Sequence, residues 1–370
     1  VKPTHRGGFC VSKEFFLAID KTIIPPSEAT EVAQAGHDYV NSILPLSNIF
    51  PVTSNGGDWT ASWTPVIPKS KTRAMKHRAL DAEIGHTKSE TSTAEIHAGL
   101  LPLSGMDHIS ERDIAKHQDD TAYIHDQAET KFEALGQQAG VTEELERLQC
   151  LVTGKVVIKE NGVDVTYSFK RPSSQQDVKP TTTWDNDKSN PCDDIEAWVK
   201  IMRKAYGRKP HAVATTGVVI DAMRTNEFFR TQVSGMDLEH SKTKLSRQEV
   251  LDVLRMQSGI TDVLLVDEAY EDLKLDNTFD MDADVSAAFP DKTFILLPSF
   301  NDSSLGATLS GPTAEAQNSE YEINKSVNDG LIGAMLSHQA PLNYDIWVNG
   351  NYLPILKEAV STFKADVLGK

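Results

Sequence analysis

The hydrophobic pattern divides the chain into stretches that cannot form a core alone and stretches that can. Val32, Ala35, Tyr39 and Ile43 recur at near-helical spacing, which predicts a helix from Ser27 to about Ser42 with one apolar face. Pro25-Pro26 stops anything before it, and Ser27 suits the N-cap. Pro45, Pro51 and Gly56-Gly57 then break the chain. Two alternating runs follow. Trp59, Ala61 and Trp63 oppose Asp58, Thr60, Ser62 and Thr64, and later Ala94, Ile96 and Ala98 oppose Thr93, Glu95 and His97. Each reads as a strand with one apolar face. The charged stretch 69–90 between them lacks bulky apolar groups, which predicts a projecting two-stranded excursion over residues 58–98. Such an excursion has little core of its own, so Trp59 and Trp63 are expected against a neighbouring subunit.

Ser110-Glu111-Arg112-Asp113 resembles a capping box and opens a long helical tract. Ile114, Thr121, Ala128, Phe132 and Leu135 form one narrow stripe, and Val141, Leu145, Leu148 and Val152 resume it after an expected interruption at Gly136–Gly140. Asn161-Gly162 between two apolar runs predicts a hairpin of 155–159 with 163–169. Residues 172–191 read as a polar linker and domain boundary. Beyond it, helices at 193–206, 218–229 and 246–258 alternate with strands at 211–215, 262–266 and 292–297, the pattern of a mixed α/β domain. Two more strands are expected at 344–348 and 360–367, with Asn349-Gly350 as a turn.

The 370 residues are 39% hydrophobic, with no apolar run near membrane-spanning length. No apolar leader is visible at the N-terminus. Net charge is 37 − 53 = −16, which counts against a surface built to grip nucleic acid but not against a container that holds it. Cys10, Cys150 and Cys192 are too few and too scattered for a disulfide framework or a zinc ribbon, and read as idle thiols.

Candidate chemistry fails motif by motif. The glycines of 306–311 have P-loop spacing, but Pro312 stands where lysine is required, so the stretch reads as a loop. Asp280, Asp282, Asp284 and Asp291 imitate a calcium loop, yet Val285 replaces the obligatory glycine. The histidines show neither a His-Glu-x-x-His motif nor clustered carboxylate partners, and His117 and His125 lie too far apart on one helix to share an ion. Adjacent acids such as Asp267-Glu268 assemble nothing, and no dinucleotide fingerprint or nucleophile elbow occurs. The expectation is no catalytic, cofactor-binding or metal-ligating residue.

The order of parts nevertheless resembles one family. Asp193-Asp194-Ile195-Glu196-Ala197, the run Thr261–Asp272, Phe289-Pro290-Asp291-Lys292-Thr293-Phe294 and Gln339-Ala340-Pro341-Leu342 stand in the order of the lambda-type branch of tailed-phage major capsid proteins, with Phe50-Pro51 and Leu101-Pro102 flanking the excursion. This resemblance implies an α+β capsid fold of the Hong Kong ninety-seven type. It implies an N-terminal arm (1–50), an E-loop (51–105), a P domain with a spine helix (106–192 and 341–370) and an axial A domain (193–340). It also implies a virion protein, assembled in the host cytoplasm into hexamers and pentamers of an icosahedral head. A portal protein, scaffold or decoration proteins and non-specifically held double-stranded DNA would be its partners, with no membrane and no cofactor. Some relatives join subunits through lysine–asparagine bonds. Here Lys69, Lys71, Lys76 and Lys88 lie in charged surroundings that keep amines protonated, so a non-covalent shell is expected despite Asn349 and Asn351. Two readings compete: an encapsulin-like nanocompartment of the same fold, and a metal-dependent α/β hydrolase using Asp280, Asp282 and Asp284.

Overall fold

The computed structural model describes residues 18–65, 95–117, 120–205, 208–235, 239, 242–271, 273, 281–323, 330–339 and 341–369. They form two compact units, one of residues 1–38, 102–139 and 312–350, the other of 39–101, 140–311 and 351–370.

In the first unit, an arm helix (Pro26–Ile43) and the beginning of the spine helix (Thr121–Thr153) pack with an antiparallel sheet. Strand Ala18–Asp20 pairs with Ile332–Gln339, which pairs with the start of Leu342–Leu356 from Ile332↔Asn349 to Gln339↔Leu342. Asn349 and Gly350 therefore lie inside a 15-residue strand rather than in the expected turn. The spine helix is also unbroken through Gly136 and Gly140. Gly136 serves close approach: a Cβ there would stand 2.0 Å from the Ala33 carbonyl oxygen, and one on Gly36 would stand 2.4 Å from that of Glu133. The two helices thus cross backbone to backbone, which only glycine permits at these positions.

That crossing turns the arm helix over relative to the expected face. Ala29, Thr30, Ala33, Gly36 and Val40 are buried, while Val32 and Ile43 are half-buried and Ala35 and Tyr39 are exposed. Small residues win the inward face because they allow the close contact. Thr30 fixes the packing, since its hydroxyl accepts from the Gly333 amide at 3.1 Å.

The second unit contains a four-stranded sheet in the order Phe363–Asp366, Thr293–Leu297, Ala212–Thr215, Asp262–Leu265, antiparallel except for the last pair. Pro191–Ala205 and Arg247–Ser258 pack in its apolar cluster, the latter closed by a full capping box at Ser246 and Glu249 and by Gly259 at φ 71°. The expected helix at 218–229 is two helices, Gly217–Met223 and Glu227–Ser234, because Asn226 caps the second by accepting from the Phe228 amide. The expected linker is anchored: Trp184 is fully buried, stacks with Trp198 and donates to Asp194 at 3.0 Å. The C-terminal strand, grouped by sequence with the spine region, pairs instead with Thr293–Leu297 because Phe363 stacks on Trp198. Residues 312–339, grouped by sequence with the α/β domain, belong to the first unit.

The hairpin Lys155–Glu160 with Val163–Ser168 forms as read, with Asn161 at φ 48° and Gly162 at φ 85°, both in the left-handed region a type I′ turn requires. The end of Leu342–Leu356 pairs antiparallel with Gly306–Gly311, which takes Val52–Ser54 as a parallel neighbour. The glycine-spaced stretch 306–311 is thus a buried strand rather than a loop. Gly306 faces the Phe50 ring, where a Cβ would stand 2.5 Å away.

Candidate assembly surfaces and buried charge

The base of the excursion lies in the second unit. Thr60–Trp63 pairs antiparallel with Ile96–Gly99, Ala61 opposite Ala98 and Trp63 opposite Ile96. Residues 66–94, with the four excursion lysines and Ala94, lie outside the described residues. Trp63 does not wait for a neighbour: it is 5% exposed and meets the Phe169 ring with centroids 5.6 Å apart. The hairpin supplies the apolar platform that the sequence reading did not assign to it. Trp59 does remain outward, at 46% exposure. With Tyr39 at 58% it offers aromatic surface left uncovered by the described residues.

Beside this surface is a buried polar network within the same unit. Arg147 is wholly enclosed and donates to Thr308 Oγ1 at 2.8 Å, Asn41 Oδ1 at 2.7 Å, Glu143 at 3.1 Å and Glu144 at 3.2 Å. Glu144 also accepts from the Leu46 amide at 2.9 Å and the Tyr270 hydroxyl at 2.5 Å. Burial, followed by the Glu144 charge, raises the Tyr270 pKa well above its ordinary value, so the phenol stays a donor. One guanidinium therefore ties the spine helix to the last turn of the arm helix, through Asn41, and to the strand Gly306–Gly311, through Thr308. At the helix's end, half-buried Arg171 donates to the Leu151 and Val152 carbonyls at 2.6 and 3.1 Å, satisfying acceptors that a helix terminus leaves open. Its desolvation lowers its own pKa to about 10.

Glu146 is the discordant member of this helix. Its pKa is pushed up to about 8, first by desolvation and then by Glu143 and Glu160, with Arg147 pulling the other way. It is therefore protonated at neutral pH.

The sequence motifs assemble no reactive site among the described residues. Residues 281–288 are a helix rather than a calcium loop, and Asp280 lies outside the described residues. A cavity of about 220 Å³ touches Thr216, Asp267, Glu271, Ser286 and Asp291. Asp267 is already engaged there, accepting the Gly217 amide through both oxygens at 2.9 and 2.8 Å. Arg247 links Asp221 and Glu268 nearby and holds Asp221 down to about 2. Cys150 and Cys192 are free and buried, and burial raises both thiols, Cys192 to about 11. One expectation is corrected: His125 does have carboxylate partners, Glu28 Oε1 at 3.3 Å and Glu129 Oε2 at 3.7 Å. Glu28 comes from the arm helix, so no local pattern around His125 could have revealed it.

Residues 105–251 match the family model described as Phage major capsid protein E. A prophage protein of Escherichia coli CFT073, assigned as its capsid protein, superposes with a TM-score of 0.56 at 12% identity, covering 91% of this chain and 97% of that one. The family match and the fold agree on a phage major capsid protein. A phage-related protein of Bordetella bronchiseptica RB50 shares the fold with a TM-score of 0.50 at 13% identity, covering 95% of this chain and 98% of that one. An encapsulin complex of Synechococcus elongatus PCC 7942 reaches a TM-score of 0.41 at 10% identity, with 87% and 86% covered, too remote to favour the nanocompartment. No curated protein matches by sequence. The fold is the α+β architecture of the Hong Kong ninety-seven type, and the capsid-family match over residues 105–251 is what indicates a virion component. Among the described residues no helix is long and apolar enough to cross a membrane.

Proposed function

We propose that this capsid chain assembles into the hexamers and pentamers of an icosahedral head around double-stranded DNA. The carrying observation is the capsid-family match inside a capsid fold that spans nearly the whole chain. Three features support self-assembly in particular. Trp59 stands exposed at the foot of the excursion, and Tyr39 and Ala35 face outward from the arm helix. The buried network at Arg147 holds the spine helix, the arm helix and the strand Gly306–Gly311 together within one unit. A closed shell needs self-complementary patches on several sides of each subunit.

In this reading the arm is 1–50 and the E-loop 51–105, with the P domain around the spine helix. The A domain, read as 193–340, keeps its α/β sheet in 193–311 with the C-terminal strand added, while 312–339 cluster with the arm and the start of the spine. A portal protein at one vertex, scaffold or decoration proteins and assembly in the host cytoplasm complete the proposal. The net charge of −16 limits adhesion of DNA to the shell. No covalent cross-link is proposed. Asn349 is held by Glu315, to which its amide donates at 3.0 Å, and by Ser104, whose hydroxyl donates to it at 3.0 Å.

Electron microscopy of the expressed chain, with scaffold supplied if required, tests the proposal. Closed shells with hexameric and pentameric units support it. A monomer at high concentration under those conditions refutes it, and small shells filled with protein cargo would favour the nanocompartment instead. Denaturing gels of mature particles should show one band at the monomer mass; a ladder of covalent oligomers would refute the non-covalent shell.

A further inference from the structure

The first turns of the arm and spine helices bring together three groups with no role in the capsid reading. Glu28 Oε1 lies 3.3 Å from one ring nitrogen of His125, and Glu129 Oε2 lies 3.7 Å from the other. One ligand atom from each residue can be chosen so that all three lie within 4.8 Å of one another. It is the one such His and carboxylate group among the described residues. All three residues belong to the same compact unit.

We propose that Glu28, His125 and Glu129 form a divalent-metal site for a zinc-like ion that staples the arm helix to the spine helix. The chemistry fits borderline ions, which take imidazole together with carboxylate, better than magnesium or calcium, which prefer oxygen alone. Two ligands at about 2.05 Å from a tetrahedral ion stand about 3.3 Å apart. The Glu28–His125 separation already has that value. His125 and Glu129 are four residues apart and share one helix face. The Glu129 side chain is 42% exposed, so a rotamer change that brings its carboxylate to the same nitrogen meets little resistance. Solvent would supply the fourth ligand.

The rest of the unit prepares the site. Gly36 follows Glu28 by eight residues, and Glu133, whose carbonyl it touches, follows His125 by eight. Glu28 and His125 thus each stand about 12 Å of helix rise before the Gly36–Glu133 contact. Thr30 and Gln34 hold the arm helix onto Gly333 and Leu331. Glu28 also lies in the first turn of its helix, where a negative charge is favoured. Glu28 and His125, one from each helix, are thus positioned before any ion arrives, which reduces the ordering cost of binding to the movement of Glu129. The proposal does not depend on shell assembly.

The test is calorimetric titration of Zn²⁺ into the full chain, purified without a histidine tag and freed of metal by chelation. Saturable binding of one ion per chain is expected, weakened at least about tenfold by His125→Gln and by Glu28→Gln. His117→Gln should bind as wild type. Co²⁺ should give a visible absorption band that His125→Gln abolishes. Absence of saturable binding, or equal binding by wild type, His125→Gln and Glu28→Gln, would overturn the proposal and leave a plain histidine–carboxylate ion pair. Glu28→Gln and Glu129→Gln change half-exposed side chains, so they keep the test decisive if His125→Gln fails to fold.

Discussion

Replacing Arg147 with methionine removes a positive charge from a place that water does not reach. The guanidinium makes four hydrogen bonds, two of them to the carboxylates Glu143 and Glu144. Methionine roughly fills the volume, so cavity formation contributes little. The loss comes from leaving buried negative charge without its counter-ion. Glu144 keeps the Leu46 amide and the Tyr270 hydroxyl, which soften the effect at that carboxylate, while Glu143 loses the guanidinium. Breaking a buried pair by removing one partner costs about 3–5 kcal/mol, and that is the expected loss for Arg147→Met. Arg147→Lys should cost less but still be measurable, because one ammonium cannot reach four separated acceptors with a fork's geometry. The triple variant Arg147→Met, Glu143→Gln, Glu144→Gln should recover much of the loss, since no uncompensated charge remains. Urea unfolding of the unassembled chain, followed by near-ultraviolet circular dichroism, measures the differences. A loss below about 1 kcal/mol for Arg147→Met, or a triple variant no better than the single one, would refute the view that charge compensation holds this network.

Glu146 gives a pH signature. Its pKa is about 8 when folded against 4.5 for an ordinary glutamate, so the folded chain binds the extra proton and stability falls as pH rises between those values. Partial solvent access leaves on the order of 1–2 kcal/mol of that effect. Glu146→Gln should flatten the pH 5–8 stability profile, and an unchanged profile would count against the assignment. Gly136→Ala should destabilise despite alanine's intrinsic helix advantage of about 1 kcal/mol, because its Cβ would meet the Ala33 carbonyl; a raised melting temperature would contradict the close crossing. Trp63→Ala should cost about 3–5 kcal/mol of subunit stability. Trp59→Ala should leave subunit stability nearly unchanged and reduce shell yield, and the reverse pattern would misassign which tryptophan the subunit itself covers.

Local chemistry carried much of this fold. The Asn161-Gly162 hairpin, the capping box at Ser246 and the alternation through Ala61 and Trp63 could all be read because each depends on residues adjacent in the chain. The order of such elements carried the family resemblance. What the sequence could not decide depends on partners hundreds of positions away. Glycines read as helix breakers at Gly136 and as a loop at 306–311 instead lie where another backbone or ring leaves no room for a side chain, at Ala33 and at Phe50. The arm helix buries its small residues rather than its larger apolar ones for the same steric reason. Trp63 is covered by Phe169 across more than a hundred residues, and the Arg147 network joins the spine helix to Asn41 and Thr308. Periodicity shows that a residue wants burial or a partner, but not what will cover it. His125 meets Glu28 only because two helices cross at Gly36 and Gly136, a contact that sterics in three dimensions decide.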